Sequence, residues 1–187
     1  MRKVLVFNMV SLDGFFEAPD GGIDWHSVDE EFNQFAAGQL DSVEALLFGR
    51  VTYQLMAQYW PSSTALEDDP VIAGKMNAKS KIVVSTTLKK AEWNNTRLIG
   101  KDALRELRDI KARSGGDLIV FGSGRLTCSL TQAGLIDEFR LMVNPVVLGG
   151  GRSLFTGLQE RIDLKLLGTR SFANGNLLIR YEPEGKK

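Results

Sequence analysis

The stretch Gly134-Leu-Ile-Asp-Glu-Phe-Arg-Leu-Met-Val-Asn-Pro-Val-Val-Leu-Gly-Gly-Gly151 decides how the rest of the chain is read. Gly134 accepts the left-handed backbone on which helices end, so a helix stops there. Glu138 to Asn144 then resumes a sheet, and Gly149-Gly-Gly151 forms a flexible turn. Just upstream, Asp117-Leu-Ile-Val-Phe121 is a strand running into Gly122-Ser-Gly124, and a helix follows through about Ala133. Strand, helix and strand in succession build a parallel sheet with helices packed on its faces. The apolar residues Leu141-Met-Val143 and Val146-Val-Leu148 suit either a buried central strand or a surface that a second copy covers.

Toward the N-terminus, Lys3-Val-Leu-Val-Phe-Asn-Met-Val10 has the profile of a central strand covered on both faces. A long loop rich in Asp, Gly and Pro runs from Ser11 toward Trp25. Ser27-Val-Asp-Glu30 matches a capping box and predicts a helix over about Asp29 to Leu40. Ala45 to Phe48 is a second strand closed by Gly49-Arg50, and Thr52 to Tyr59 is helical until Trp60-Pro61 stops it. Ser62 to Pro70 reads as exposed loop. Strands follow at Lys81–Ser85 and Thr96–Ile99, then a helix over Ala103–Lys111 that Gly115-Gly116 ends.

Past the opening stretch, Leu164 to Arg170 pairs with Asn176 to Tyr181 across an Asn174-Gly175 turn, and the tail after Glu182 frays. The expected fold is a three-layer α/β domain over residues 1–187. Its central sheet is mixed and mostly parallel, flanked by helices and closed by a C-terminal antiparallel hairpin.

Of the 187 residues, 43% are hydrophobic and 25% charged, the balance of a folded globular chain. Twenty-three basic residues match 23 acidic ones, so no global field favours nucleic acid or an anionic membrane. No apolar run approaches the roughly 18 residues that span a bilayer, and strand-like sequence from Lys3 leaves no room for a signal peptide, which predicts a cytoplasmic protein. Cys128 is the one cysteine and His26 the one histidine, which excludes an internal disulfide and the usual zinc spacings; no metal is expected.

Three short elements each follow a predicted strand: Gly49-Arg-Val-Thr52, Ser85-Thr86-Thr87 and Gly122-Ser-Gly-Arg-Leu126. Ligands bind beyond the carboxyl ends of such strands, where backbone amides and helix N-termini favour phosphate. Each element alone has a plain structural use, Gly49 as a tight turn and Thr52 as a helix cap; together they suggest a nucleotide site. Gly122-Ser-Gly124 lacks the third glycine of the dinucleotide fingerprint, so this is not a standard Rossmann domain.

In order and spacing these elements resemble the dihydrofolate-reductase fold. The Gly134–Gly151 segment, together with Ser11-Leu-Asp-Gly14, resembles the reductase (RibD C-terminal) domain of the riboflavin deaminase-reductase. That resemblance implies an NADPH-dependent reductase acting on a small-molecule substrate. Val10 and Phe16 would flank the nicotinamide, while Gly49 and Thr52 would hold the pyrophosphate. Arg50, Ser85 and Thr86 would surround the 2′-phosphate, and Gly122, Ser123, Gly124, Arg125 and Leu126 would lie along the cofactor. Asp29, Glu30 or water would give the proton, the two carboxylates otherwise serving the helix dipole and the capping box. Trp25 and Trp60 would line the substrate cavity, Trp25 otherwise being core or staple, and Gly149–Gly151 would either cradle a substrate phosphate or serve as a plain turn. The first loop would act as a lid and the chain would pair as a homodimer. The implied substrate is 5-amino-6-(5-phosphoribosylamino)uracil; a pterin such as dihydrofolate, an unassigned carbonyl, and a noncatalytic NADPH sensor are the alternatives.

Overall fold

The computed structural model describes residues 1–185. The strands are β1 (Val4–Ser11), β2 (Phe15–Glu17), β3 (Val43–Gly49), β4 (Ser80–Val84), β5 (Thr96–Ile99), β6 (Asp117–Phe121), β7 (Glu138–Asn144), β8 (Arg152–Ser153), β9 (Leu164–Ser171) and β10 (Leu177–Pro183). The helices are α1 (Glu30–Asp41), α2 (Arg50–Tyr59), α3 (Ser63–Asp68), α4 (Pro70–Ala78), α5 (Ala103–Ala112) and α6 (Gly124–Gln132). Eight strands form one sheet in the order β5-β4-β3-β6-β1-β7-β10-β9. The run from β5 to β7 is parallel, and the β9–β10 hairpin adds on antiparallel to β7.

Strand β1 is buried along its whole length, as its unbroken apolar run requires of a strand covered on both faces. One face carries Leu5, Phe7, Met9, Leu46 and Phe48 under Phe32 of α1, Tyr53 of α2, and Ile72 and Met76 of α4. The other carries Val4, Val6, Leu47 and Val120 under Leu107 and Ile110 of α5, and Leu126 and Leu130 of α6. All six parallel strands therefore end at one sheet edge, and the loops leaving that edge build the site.

The structure differs from the sequence reading in four places. Ser27 does not cap α1: Asp29 does, its carboxylate accepting the Phe32 N–H at 2.8 Å, while Ser27 gives its own N–H to Asn144 Oδ1 at 2.9 Å. Aspartate caps as well as serine, and the backbone of Ser27 is committed elsewhere. Residues 62–70 are not open loop, because Ser62 and Asp69 cap α3 and α4 and Pro70 sits at the first position of α4, where its missing N–H costs nothing. Buried Ile72, Ala73 and Met76 hold α4 to the core. Within the first loop β2 pairs with β8, elements too short to show a period. The C-terminal strand continues through Pro183, Glu184 donates its N–H to the Asp163 carbonyl at 2.8 Å, and the last two residues of the expected frayed tail, 186–187, lie outside the described residues.

Glu138, only 4% exposed, binds the first core face to the hairpin. Its Oε1 accepts Nε–H groups of Arg140 at 2.8 Å and Arg180 at 2.7 Å. Burial alone would raise this carboxyl, but the hydrogen bonds and charges of Arg180 and Arg140 outweigh it and hold it below the usual range. A carboxyl depressed in the folded state stabilises above its unfolded pKa and loses that contribution as pH falls through the folded value. Glu138→Gln is therefore expected to cost roughly 3 kcal/mol at pH 7. The gap from wild type should narrow as urea unfolding is repeated at successively lower pH below the ordinary glutamate range.

Candidate active site

Two hydroxyls hold the centre of the carboxyl edge together. Ser123 Oγ accepts the Gly49 N–H at 2.9 Å and donates to the Phe121 carbonyl at 3.0 Å, while Thr52 Oγ1 accepts the Ser123 N–H at 3.0 Å. The end of β6 and its helix are thereby tied to the end of β3 and its helix. Gly122 and Ser123 both take left-handed backbone, φ 55° and 60°. A Cβ on Gly122 would come within 3.1 Å of Thr52, and one on Gly124 within 3.1 Å of the Phe16 ring. The sequence reading gave these glycines to a ligand, but their missing side chains first make room for Thr52 and Phe16.

Helices α2, α5 and α6, which follow strands β3, β5 and β6 at this edge, have no side chain capping their N-termini. By contrast α1, α3 and α4 are capped by Asp29, Ser62 and Asp69. Bare helix N-termini present N–H groups and the positive end of the macrodipole, which suit a phosphate-bearing ligand. The first-turn amides beyond Gly49 and Ser123, whose own N–H groups the junction consumes, suit the diphosphate of a dinucleotide, with the Thr52 hydroxyl on one side and Gly124 and Arg125 on the other.

Gly49 and Val84 are register partners on β3 and β4, so Arg50 and Ser85 leave the edge side by side. Arg50 is exposed, its guanidinium resting on Gln54 Oε1 at 2.9 Å. Ser85 Oγ closes a turn by accepting the N–H groups of Thr87 and Leu88, and Thr86 is exposed. Leu126 lies in the core under the second sheet face. Val10 is 6% exposed, and its carbonyl accepts from Asn144 Nδ2 at 3.4 Å.

The segment leading into α1 is gripped by asparagines that the sequence reading did not single out. Ser27 receives Asn144 at its N–H, and its carbonyl accepts from Asn176 Nδ2 at 2.8 Å and Asn174 Nδ2 at 3.3 Å. Asn144 and Asn176 are 0% and 1% exposed. Asn8 donates to the Gly122 carbonyl at 3.4 Å. An amide inside an otherwise apolar strand, as at Asn8 and at the end of β7, was the visible signal. The Asp29 carboxylate stands at the first turn of α1 as its cap, while Glu30 is exposed and accepts from Gln34. Trp25 donates its indole N–H to the Gly22 carbonyl and meets His26 edge-on. Burial pushes the His26 imidazole down to about 4, leaving it neutral at physiological pH. Trp60 follows the last residue of α2, eleven residues and about 16 Å along the helix from Gly49, with its indole N–H on Met56 Sδ.

The Gly149–Gly151 turn already holds an anion. Asp13 Oδ2 accepts the Gly149 N–H at 2.7 Å and Oδ1 the Leu148 N–H at 3.1 Å, while the Ser11 hydroxyl donates to Oδ1 at 2.6 Å. The Ser11 hydroxyl and these two N–H groups hold the Asp13 carboxyl below the usual range, against the effect of burial. A substrate phosphate at these amides would have to displace Asp13. Cys128 of α6 donates its thiol to the carbonyls of Leu154 and Thr156, both at 3.4 Å, fastening the segment after the turn to the helix. A cavity of about 680 Å³ lies between α2 and residues 88–94, and none of the site residues expected from sequence lines it.

A mostly parallel sheet in this strand order, closed by an antiparallel hairpin, is the dihydrofolate-reductase-like fold. Within that class the chain belongs to the RibD C-terminal domain family, whose model matches residues 2–178. It is 33% identical over 186 residues to the uncharacterized protein YyaP of Bacillus subtilis (strain 168), covering 98% of this chain and 96% of YyaP. Among solved structures, a Shewanella sp. PV-4 protein named for riboflavin biosynthesis superposes with a TM-score of 0.75 at 21% identity, over 98% of this chain and 99% of that one. Dihydrofolate reductase from Enterococcus faecalis, solved with NADP(H), gives 0.67 at 13% identity, over 98% and 97%. At these identities the two structures establish the fold.

The Ser123 junction makes a stability prediction. Ser123→Ala removes the acceptor for the Gly49 N–H and should cost about 1–3 kcal/mol in chemical denaturation. Ser123→Gly loses the same bonds but relieves a left-handed non-glycine residue, so it should recover about 1 kcal/mol of that loss.

Proposed function

We propose that the chain is an NADPH-dependent reductase that reduces a carbon–nitrogen or carbonyl bond in a small heterocyclic or sugar-derived substrate in the cytoplasm. The observation that carries this reading is the pair of bare N-termini of α2 and α6, locked side by side by Ser123 and Thr52. When bound, NADPH supplies the hydride. The first-turn amides that follow Gly49 and Ser123, with Gly124 and the Thr52 hydroxyl proton, would hold its diphosphate, since the N–H groups of Gly49 and Ser123 themselves are taken up by the junction. Arg50, Ser85 and Thr86 would hold its 2′-phosphate, where a guanidinium forms charge-assisted bonds. Val10 and Phe16 would bound the nicotinamide face, with Trp25 and Trp60 on the substrate side. Asp29, Glu30 or water would provide the proton. Asp29 stands at the first turn of α1, whereas Glu30 is turned to Gln34 on the exposed surface.

Family membership favours 5-amino-6-(5-phosphoribosylamino)uracil as the substrate, with dihydrofolate as the second choice. The deciding experiment follows NADPH absorbance with each compound in turn and with a panel of small carbonyls. Oxidation with any of them supports the reductase, whereas tight NADPH binding without turnover would favour the cofactor sensor. NADPH should bind at least tenfold tighter than NADH, a difference of about 1.4 kcal/mol, within reach of one charge-assisted contact. Arg50→Ala should erase that preference in a fluorescence titration.

The homodimer is proposed on a sheet face as well as on resemblance. Leu141 and Val143 of β7 align with Ile179 and Leu177 of β10, and Tyr181 aligns with Leu166 of β9. These six apolar side chains share one face; the first five are half-buried, and Leu166 is 53% exposed. A second copy covering them through the same face gives a closed pair. Sedimentation equilibrium at micromolar concentration should report twice the chain mass, and Leu166→Lys should shift it toward the monomer.

A further inference from the structure

The first loop and the loop after β7 are fastened to each other at every level the structure shows. Leu12 donates its N–H to the Val146 carbonyl at 2.8 Å. Ser11 Oγ accepts the Phe15 N–H at 3.0 Å while giving its proton to Asp13. Asp13 in turn takes the N–H groups of Leu148 and Gly149. Farther out, Phe15 pairs with Ser153 and Glu17 with Arg152, and Arg152 Nε meets Glu17 Oε1 at 3.0 Å. Gly151 lies so close that a Cβ there would come within 2.2 Å of the Glu17 carbonyl oxygen.

The result is a two-stranded flap with Asp13 at its base and the Glu17–Arg152 pair farther out. Phe16 projects from the middle of β2, and its ring lies where a Cβ on Gly124, the first residue of α6, would touch it at 3.1 Å. Whatever fixes the flap therefore fixes Phe16 against a helix N-terminus of the proposed cofactor site. A carboxylate is the right group at the base, since it accepts from one hydroxyl and two amides that approach from different loops. Glu17 and Arg152 sit on the flap itself, so their pairing cannot anchor it to β1.

We infer that Asp13 is a positioning residue: it latches the first loop and the Val146–Ser153 loop into one flap that sets Phe16 against the N-terminus of α6. Its bearing on turnover rests on the reductase reading, but the latch itself is testable without cofactor. Hydrogen exchange resolved by residue in Asp13→Ala should show amides of Phe15–Glu17 and Leu148–Ser153 speeding up together, at least tenfold, while those of β1 and β6 hold their wild-type rates. Asp13→Asn, which keeps one carbonyl oxygen, should fall between and serves if the alanine variant does not fold. Faster exchange at Leu148 and Gly149 alone, with β2 unchanged, would overturn the latch.

A second arm reads the action through Phe16. Asp13→Asn and Phe16→Ala should each weaken NADPH binding severalfold, and the double variant should be no weaker than the worse single, because both remove the same contact. Fully additive losses would overturn the positioning role. Wild-type protein that fails to bind NADPH would sink the reductase proposal, and the exchange result would still decide the latch.

Discussion

The hydrogen bond from the Gly49 amide to Ser123 Oγ, with its return partner at Thr52 Oγ1, is the constraint on which the rest of the edge depends. It requires β3 and β6 to be neighbours and parallel, so that both chains leave the sheet in the same direction and turn into helices at the same level. It also demands a left-handed Ser123, a conformation that costs a non-glycine residue about 1–2 kcal/mol and persists because the surrounding bonds over-determine it. Two helix N-termini without caps are thus held in a fixed relation by Ser123, which precedes α6, and Thr52, in the first turn of α2.

A second constraint acts on the segment leading into α1. Three asparagines clasp Ser27, and Asn144 also reaches the Val10 carbonyl at the end of β1. Fully buried amides are tolerated only where most of their donors and acceptors find partners, and Asn144 does so on three elements at once. The segment carrying Trp25, His26 and Asp29 is consequently registered to the central strand rather than floating beside it. Polar fastening of this kind sets the position of the segment against β1 and β7 more sharply than apolar contact, because hydrogen bonds are directional.

Much of the architecture was legible because it rests on long periodic signals. The continuous apolar run of β1, the strand–glycine–helix junctions and the Asn174-Gly175 turn each encode their own geometry locally. What escaped was encoded nonlocally. Pro70 looks like a helix breaker until Asp69 is known to cap the helix it begins. Ser27 and Asp29 are equally good caps on paper, and only Asn144, far away in sequence, decides between them. Asp13 reads as a turn residue, since nothing adjacent reveals that its partners lie after β7. Lys81 reads as an ordinary strand charge, yet it is 1% exposed, with its ammonium on the carbonyls of Asn77, Lys79 and Asn94. The strand-end glycines were located correctly and explained incompletely, because their nearest neighbours are Thr52 and Phe16 of the same chain.

The concealment of Cys128 has a practical corollary. Its thiol is packed inside α6 against two carbonyls, and burial raises its pKa, so thiolate is scarce and reagents reach it poorly. The chain therefore behaves toward maleimides nearly as a cysteine-free background. A single cysteine placed on β2, and another on the outer surface of α2, would carry a donor and an acceptor dye without first stripping out the native sulfur. Flap excursions of a few ångströms could then be watched one molecule at a time.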